Sequence, residues 1–355
     1  MKIVVTHTSP DLDAICSVWL TKRFLAGWEN AEVRFVLSGE RLRVRGKEGL
    51  SRLGRHENFL VPQLSRDESQ GVHQRIGARQ DANSENFVPP RGKNSSLDAI
   101  EKIDDNEMIH VDTGLGPLDH HLTSDESISA SSLVWDYIKK VQNSSIRQVQ
   151  GKVQSSESER MKDKSEAIGR IVKVVTDIDH FREALWENPT AFYHDFAILG
   201  ILDGLKLEKP NDDNFYVDFI SQCLDAILHD FENRVWAEKE IAEKGIEFKT
   251  RWGKGLGVET VNDSVIKLAQ KMGYAIVVRR DPRKGYVRIK ARPSVSGEKG
   301  ADLTLVYEKF KKMDPQASWF LHVSKKMLLN GSAKNPKMRA SRLTLKQIIQ
   351  VLEKI

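Results

Sequence analysis

A short unbroken apolar run, KIVVT at residues 2–6, passes through a polar turn into a stretch of helical periodicity from Asp11 to Leu25. A continuous run of that length predicts a strand buried on both faces, because a strand with one wet face alternates apolar and polar residues. Behind it Ala14, Val18 and Leu25 share one helical stripe, which Thr21 interrupts. Strand, loop, helix is how a doubly wound α/β domain begins, and in such a domain ligands sit at the carboxyl ends of the strands.

The same patterning carries further along the chain. A second strand is expected at 31–37, a third at 107–111, and a helix at 129–141 with Leu133, Ile138 and Val141 facing inward. Between the second and third strands, residues 38–106 turn polar and carry Arg41, Arg43, Arg45, Arg52, Arg55, Arg75, Arg79 and Arg91. This stretch reads as a solvated insertion or, in a sharper reading, as a basic arm that grips a phosphate backbone. A polar stretch at 143–164 precedes helical segments near 166–177, 190–205 and 214–246. From Phe248 the pattern changes: RWGKGLG at 251–257 reads as a breaker cluster, and strands follow at 275–279, 286–291 and 318–323.

At 355 residues the chain exceeds what one core usually organises. The expected division is a catalytic domain at 1–180, a helical connector at 181–248, and a smaller α+β domain at 249–355 across a cleft from the first. Hydrophobic residues at 39% and charged residues at 30% exclude a wholly disordered chain. The net charge of +5 helps hold a polyanion without proving one. No run reaches the length of a membrane span, and the amino-terminal run has no cleavage signal, so a cytoplasmic protein with no membrane partner is expected. Cys16 and Cys223 stand in apolar contexts without zinc spacing and read as reduced thiols.

Three clusters carry the chemistry. His7, Asp11 and Asp13 fall where the first strand gives way to its helix, Asp112 follows the third strand in HVDTG, and Asp119-His120-His121 comes next. One Asp near a helix start is ordinarily a cap. A histidine and two aspartates within seven residues, followed by an acid and two adjacent imidazoles, make instead a set of oxygen and nitrogen ligands suited to Mn²⁺, Mg²⁺ or Fe²⁺.

The order of these clusters, His7-x-x-x-Asp11-x-Asp13-Ala14, Asp112 and Asp119-His120-His121, resembles the first three motifs of the DHH phosphoesterase superfamily. The VDTG and LDHH arrangement, Trp135-Asp136-Tyr137, and a tail with WFLHV and LNGS are most similar to the Myg-like branch of DHH-type exonucleases. The resemblance implies two ions, Mn²⁺ or Mg²⁺. His7, Asp11 and Asp112 would hold one; Asp13, His120 and a fourth-motif aspartate would hold the other, with Asp112 bridging. For that fourth acid Asp177 is the first choice, Asp179 the second and Asp203 a weaker rival.

The resemblance also implies that His121 faces the substrate phosphate and that Asp119 fixes the orientation of an imidazole. In the tail, His322, Gly331, Ser332 and Lys334 would contact substrate, although the same residues also read as an ordinary loop between a strand and a helix. The expected activity is metal-dependent hydrolysis of phosphodiester bonds in RNA, DNA or short oligonucleotides, as an exonuclease would perform. A phosphatase for pyrophosphate, polyphosphate or a cyclic dinucleotide has the same ligand set, and a non-catalytic nucleic-acid-binding module is the third alternative.

Overall fold

The computed structural model describes residues 1–42, 99–103, 105–148, 155–294, 300–331, 335 and 337–355. Most of the polar stretch at 38–106, with all its arginines after Arg41, therefore lies outside the described residues, as do Ser332 and Lys334. Two sheet-bearing units separated by helices make a mixed α/β fold.

The first unit opens with β1 (Lys2–His7), α1 (Leu12–Phe24) and β2 (Glu32–Val36), followed by β3 (Ile100–Ile103) and β4 (Asn106–His110). The sheet order is β2-β1-β4-β3; β1 pairs in parallel with β2 and β4, while β3 is antiparallel to β4. Alternation along the strands sends Val4 and Ile109 into a large core with the helices, whereas Ile3, Val5 and Met108 join Val36, Leu42 and Ile103 on the other face. Doubly wound sheets carry helices on both faces; here the cluster on that second face draws only on strand residues and Leu42 among the described residues.

Helix α1 is buried at every position from Leu12 to Thr21, not along a single stripe. It packs against β1 and is enclosed by α2 (Ala130–Gln148), α3 (Ser155–Asp179) and the later α6. All-round burial explains why Thr21 tolerates an inward position: its hydroxyl donates to the Ser17 carbonyl at 2.9 Å and so brings no unpaired polar group with it. Burying each large side chain of this core is worth about 1.5–3 kcal/mol.

After α3 come a 3₁₀ turn (Arg182–Leu185), α4 (Phe192–Asp195), α5 (Ile198–Glu208) and the long α6 (Asp213–Lys244). The 32 residues of α6 extend over about 48 Å. Its early residues Tyr216, Ile220, Leu224 and Leu228 belong to the first core, while Ala237 and Ile241 near its end pack with the second sheet. One helix thus serves both units. Among the described residues, none of these helices is long and apolar enough to cross a membrane.

The second unit holds β5 (Ile246–Thr250), β6 (Gly253–Glu259), α7 (Ser264–Lys271), β7 (Ile276–Arg280), β8 (Val287–Ala291), α8 (Thr304–Met313), β9 (Phe320–Leu321), β10 (Met327–Asn330) and α9 (Leu345–Lys354). Its order is β5-β6-β7-β8-β10-β9, with only β6 and β7 parallel. Helices α8 and α9 cover one face, and α7 with the end of α6 covers part of the other.

The glycine cluster expected to break structure at 251–257 is in fact largely β6. Its glycines answer to packing: a Cβ on Gly255 would enter the Phe248 ring, and one on Gly257 would lie 2.8 Å from Ile349 Cδ1. Close approach of a ring and of α9, not flexibility, accounts for them.

Candidate metal centre

Parallel pairing places the carboxyl ends of β1 and β4 side by side, which brings His7 to Asp112. The Thr8 N–H donates to Val36 O at 2.8 Å and the Val111 N–H to Val5 O at 2.9 Å, tying both exits to the sheet. Asp112 then turns with φ of 53° into the left-handed region, and its carboxylate is buried. His7 Nε2 lies 3.4 Å from Asp112 Oδ2 and 3.9 Å from Asp11 Oδ2.

Asp11 caps α1, its Oδ1 accepting from the Ala14 N–H at 2.9 Å. The cap function thus holds, but it occupies one oxygen and leaves Oδ2 for His7. Asp13 is buried and caps a different helix: its Oδ2 and Oδ1 accept the N–H groups of Ala130 and Ser131 at 2.7 and 3.0 Å, at the start of α2. A helix amino terminus favours an anion there.

Next in the chain, Asp119 is buried and accepts from the Leu115 N–H at 2.8 Å and the His121 N–H at 3.1 Å. Its Oδ1 also lies 2.6 Å from His121 Nδ1. Burial by itself would raise the Asp119 carboxyl, yet these hydrogen bonds hold it below the usual range. His121 shifts upward against its own burial because Asp119 bonds to it. Its ring stacks on His120 with centroids 4.5 Å apart.

His120 stands at the junction. Its Nδ1 is 3.5 Å from Asp112 Oδ1 and 3.8 Å from Asp13 Oδ2, and its Nε2 is 3.2 Å from Asp179 Oδ2. The ligand atoms form three overlapping groups: His7, Asp11 and Asp112; Asp13, His120 and Asp179; and Asp112, Asp119, His120 and His121. Within each group all atoms lie inside 4.8 Å of one another.

Asp177, the first choice for the fourth acid, is in none of them. It pairs with Lys173 at 2.7 Å and Arg182 at 3.4 Å, beside a groove of about 750 Å³ between α2 and α3 lined by Trp135, Lys139 and Lys162. Two residues on, near the end of α3, the direction has turned by about 200°, and Asp179 meets His120. Asp203 is exposed on α5.

Sequence patterning did not single out two supporting groups. His180 places Nε2 2.8 Å from Ile128 O and its ring edge-on to His120, and the Ala130–Ser131 backbone holds Asp13. His180 stood in the VTDIDH segment with nothing in its spacing to mark it, and backbone donors leave no trace in residue types.

Asp112 Oδ1, His120 Nδ1 and Asp179 Oδ2 are buried atoms without a hydrogen-bond partner. The Nε2 of His120 is near Asp179 Oδ2 but is not aligned to bond to it. Burial, reinforced by Asp112 and Asp179, pushes Asp13 well up, and burial likewise pushes Asp179 up against the opposing His120. His7 is raised to about 9: burial opposes the charge, but the hydrogen bond with Asp112 and the acids around it prevail. Converging acids and orphaned buried atoms are what divalent cations satisfy, and the oxygen and imidazole donors fit hard or borderline ions. Two clusters of histidines and aspartates, buried or half-buried except for the exposed Asp11, thus sit close enough to coordinate metal ions.

The remaining expected site residues lie in the second unit. His322 Nδ1 is 2.8 Å from the Ser324 hydroxyl within its own turn. Gly331 follows β10 with φ of 78°, where a side chain would collide with the Tyr286 ring.

No family profile matches the chain, and no curated protein does. Among solved structures it is matched to an uncharacterized protein from Helicobacter pylori G27 at 13% identity, over 99% of each chain, with a TM-score of 0.22. Likeness at that level carries no functional argument.

Proposed function

We propose that this chain is a two-metal phosphoesterase of the DHH type that hydrolyses phosphodiester bonds of single-stranded nucleic acid or short oligonucleotides. The reading rests above all on the three orphaned buried atoms of Asp112, His120 and Asp179, which meet between two groups of hard ligands. His7, Asp11 and Asp112 would hold one ion, and Asp13, His120 and Asp179 the other. Asp112 suits the bridge because its Oδ2 is nearer His7 and its Oδ1 nearer His120.

Divalent ions held in this way supply Lewis acidity toward a phosphoryl oxygen and lower the pKa of water toward neutrality. The chain supplies the rest. Asp119 holds the His121 ring by Nδ1, and that ring is half exposed beside the acids, so its other nitrogen is free to donate to a phosphoryl oxygen. The α2 backbone fixes Asp13 by two hydrogen bonds, so that carboxylate does not have to reorganise when substrate arrives, and the left-handed turn sets where the backbone presents Asp112.

A polymeric substrate is favoured by the second sheet. Arg288 and Lys290 project from the same face of β8, the face that carries α7 and the end of α6. Arg288, whose Nη1 is already 3.0 Å from Asp263 Oδ2, pairs across the strands with Leu329, and Leu329 with Phe320, which puts an apolar contact and an exposed ring in one row beside it. Phosphates and bases together match such a row, and a small anion does not need it.

The test is hydrolysis by purified protein, with Mn²⁺ and after chelation, across single-stranded RNA, DNA, dinucleotides, cyclic dinucleotides and pyrophosphate. Metal-dependent release of nucleotides from oligonucleotides is expected. Turnover confined to pyrophosphate or cyclic dinucleotides would replace the substrate class, and silence across the panel with metal bound would overturn the enzyme.

A further inference from the structure

Large apolar side chains that reach solvent singly are ordinary on a folded protein. Here they are concentrated. Among the described residues nine are at least 60% exposed, and six of them, Phe181, Leu185, Phe192, Tyr193, Phe196 and Leu207, fall between residues 181 and 207. With roughly 200 Å² for each fully exposed side chain of this size, they present about 1,000 Å² of apolar surface. Monomers rarely expose a patch beyond about 300–600 Å², and one side of a standard protein interface buries about 800 Å².

The segment is folded, not frayed. The Tyr193 hydroxyl donates to the Glu187 carbonyl at 3.2 Å, and His194 Nε2 lies 3.1 Å from the same oxygen. The Trp186 and His194 rings are in contact at 5.7 Å. Phe181 takes a φ of 57°, uncommon for a bulky residue, and its ring stands 76% exposed. A backbone held in that region while presenting a ring to water points to something that covers the ring.

From these observations we infer that the surface formed by 181–207 pairs with the same surface of a second copy, giving a twofold dimer. The charge of the segment selects this occupant. Residues 181–209 carry three cations (Arg182, Lys206, Lys209) and five acids (Glu183, Glu187, Asp195, Asp203, Glu208), a net of −2 in a chain whose total is +5. A nucleic-acid backbone or an anionic lipid surface would be repelled where the chain is locally acidic. In a twofold contact the cations of one copy can face the acids of the other, so the net −2 is offset pair by pair, and the roughly 1,000 Å² of apolar surface matches what one side of a stable interface buries.

The patch is also fastened to the candidate metal centre. Lys206 Nζ donates to Ser9 O at 3.2 Å, and the Ser9 N–H donates to Asp213 Oδ1 at 3.1 Å, so α5 and the start of α6 clamp the turn that carries Asp11. Pairing of two copies would brace that turn from outside.

Sedimentation of the full chain over a wide dilution series tests the inference. The wild type is expected at twice 40.3 kDa, and the double variant Phe192→Ser/Phe196→Ser at the monomer mass, with its helical circular dichroism unchanged. The Val323→Ser variant removes an equally exposed apolar residue outside the segment and should leave the dimer intact. If the double variant loses its helical signal, Leu207→Glu at the far end of the patch serves in its place. A wild-type monomer at the highest concentration, or a folded variant that stays dimeric, overturns the proposal. Binding of the wild type to anionic lipid vesicles in place of self-association overturns it equally.

Discussion

Asn330, at the end of β10, and Asp112, just past the end of β4, are both buried, and their surroundings differ. Asn330 donates to the carbonyls of Ser318 and Arg339, both at 2.9 Å, and accepts from the Ser341 N–H at 2.7 Å. Nearby Asp314 Oδ2 accepts from the Ser341 hydroxyl and the Arg342 N–H. Asp112 keeps Oδ1 in the interior with no hydrogen bond, beside two further atoms in the same condition. An unpaired buried polar group costs about 1–3 kcal/mol, and more if charged. The second unit has unpaired buried atoms too, Arg279 Nε and Trp319 Nε1, but these are donors that a cation does not satisfy; around Asp112 unpaired carboxylate oxygens and an imidazole nitrogen converge, which is an arrangement that a cation does satisfy.

The largest expected effect follows at Asp112. Asn is nearly isosteric and tolerates the left-handed φ, so Asp112→Asn removes charge with little strain. Loss of the carboxylate proposed to bridge the two ions should cost several kcal/mol of transition-state stabilisation, on the order of a thousandfold or more in kcat/KM. Mn²⁺ affinity measured by calorimetry should fall as well. In the metal-free protein, relief of the acid repulsion felt by Asp13 and Asp179 should leave the Tm unchanged or higher. Full activity in the variant, or a large drop in metal-free Tm, would make Asp112 a structural residue.

How much of this was legible in the residues follows from where the forces are local. The parallel β1 and β4 could be read because a short run of apolar residues buried on both faces leaves few alternatives, and each ends beside a cluster of hard ligands. Strand β6 could not, because Gly255 and Gly257 answer to Phe248 and to α9, a ring and a helix that no local pattern reveals. The choice of Asp177 over Asp179 has the same origin. In VVTDID both acids have equal claim by type, and only the docking of α3 decides which one turns toward His120. Nor does periodicity single out His180, or the α2 amino terminus that holds Asp13.

The docking of α3 can be probed by paired variants. Asp179→Asn should lower kcat/KM by about a hundredfold or more and weaken Mn²⁺ binding, since it would remove one ligand of three. Asp177→Asn disturbs only the pairs with Lys173 and Arg182 near the surface, worth less than about 1 kcal/mol, and should leave turnover within about twofold. A reversal of these two outcomes would mean that α3 rotates when metal binds. Equal and small effects would remove the fourth ligand from the scheme.

Asn330→Ala deletes three hydrogen bonds and leaves the Ser318 carbonyl and the buried Ser341 N–H without their partner, while the Arg339 carbonyl keeps the Ser318 N–H at 3.0 Å. A cost of about 2–4 kcal/mol is expected, read as a lower urea midpoint at unchanged m-value. Because the bonds all lie within the second sheet and its flanking loops, Mn²⁺ affinity should not move. If Asn330→Ala instead abolishes turnover while stability holds, β10 and the Gly331 loop that follows it belong to the substrate site, and the closed network is part of the chemistry.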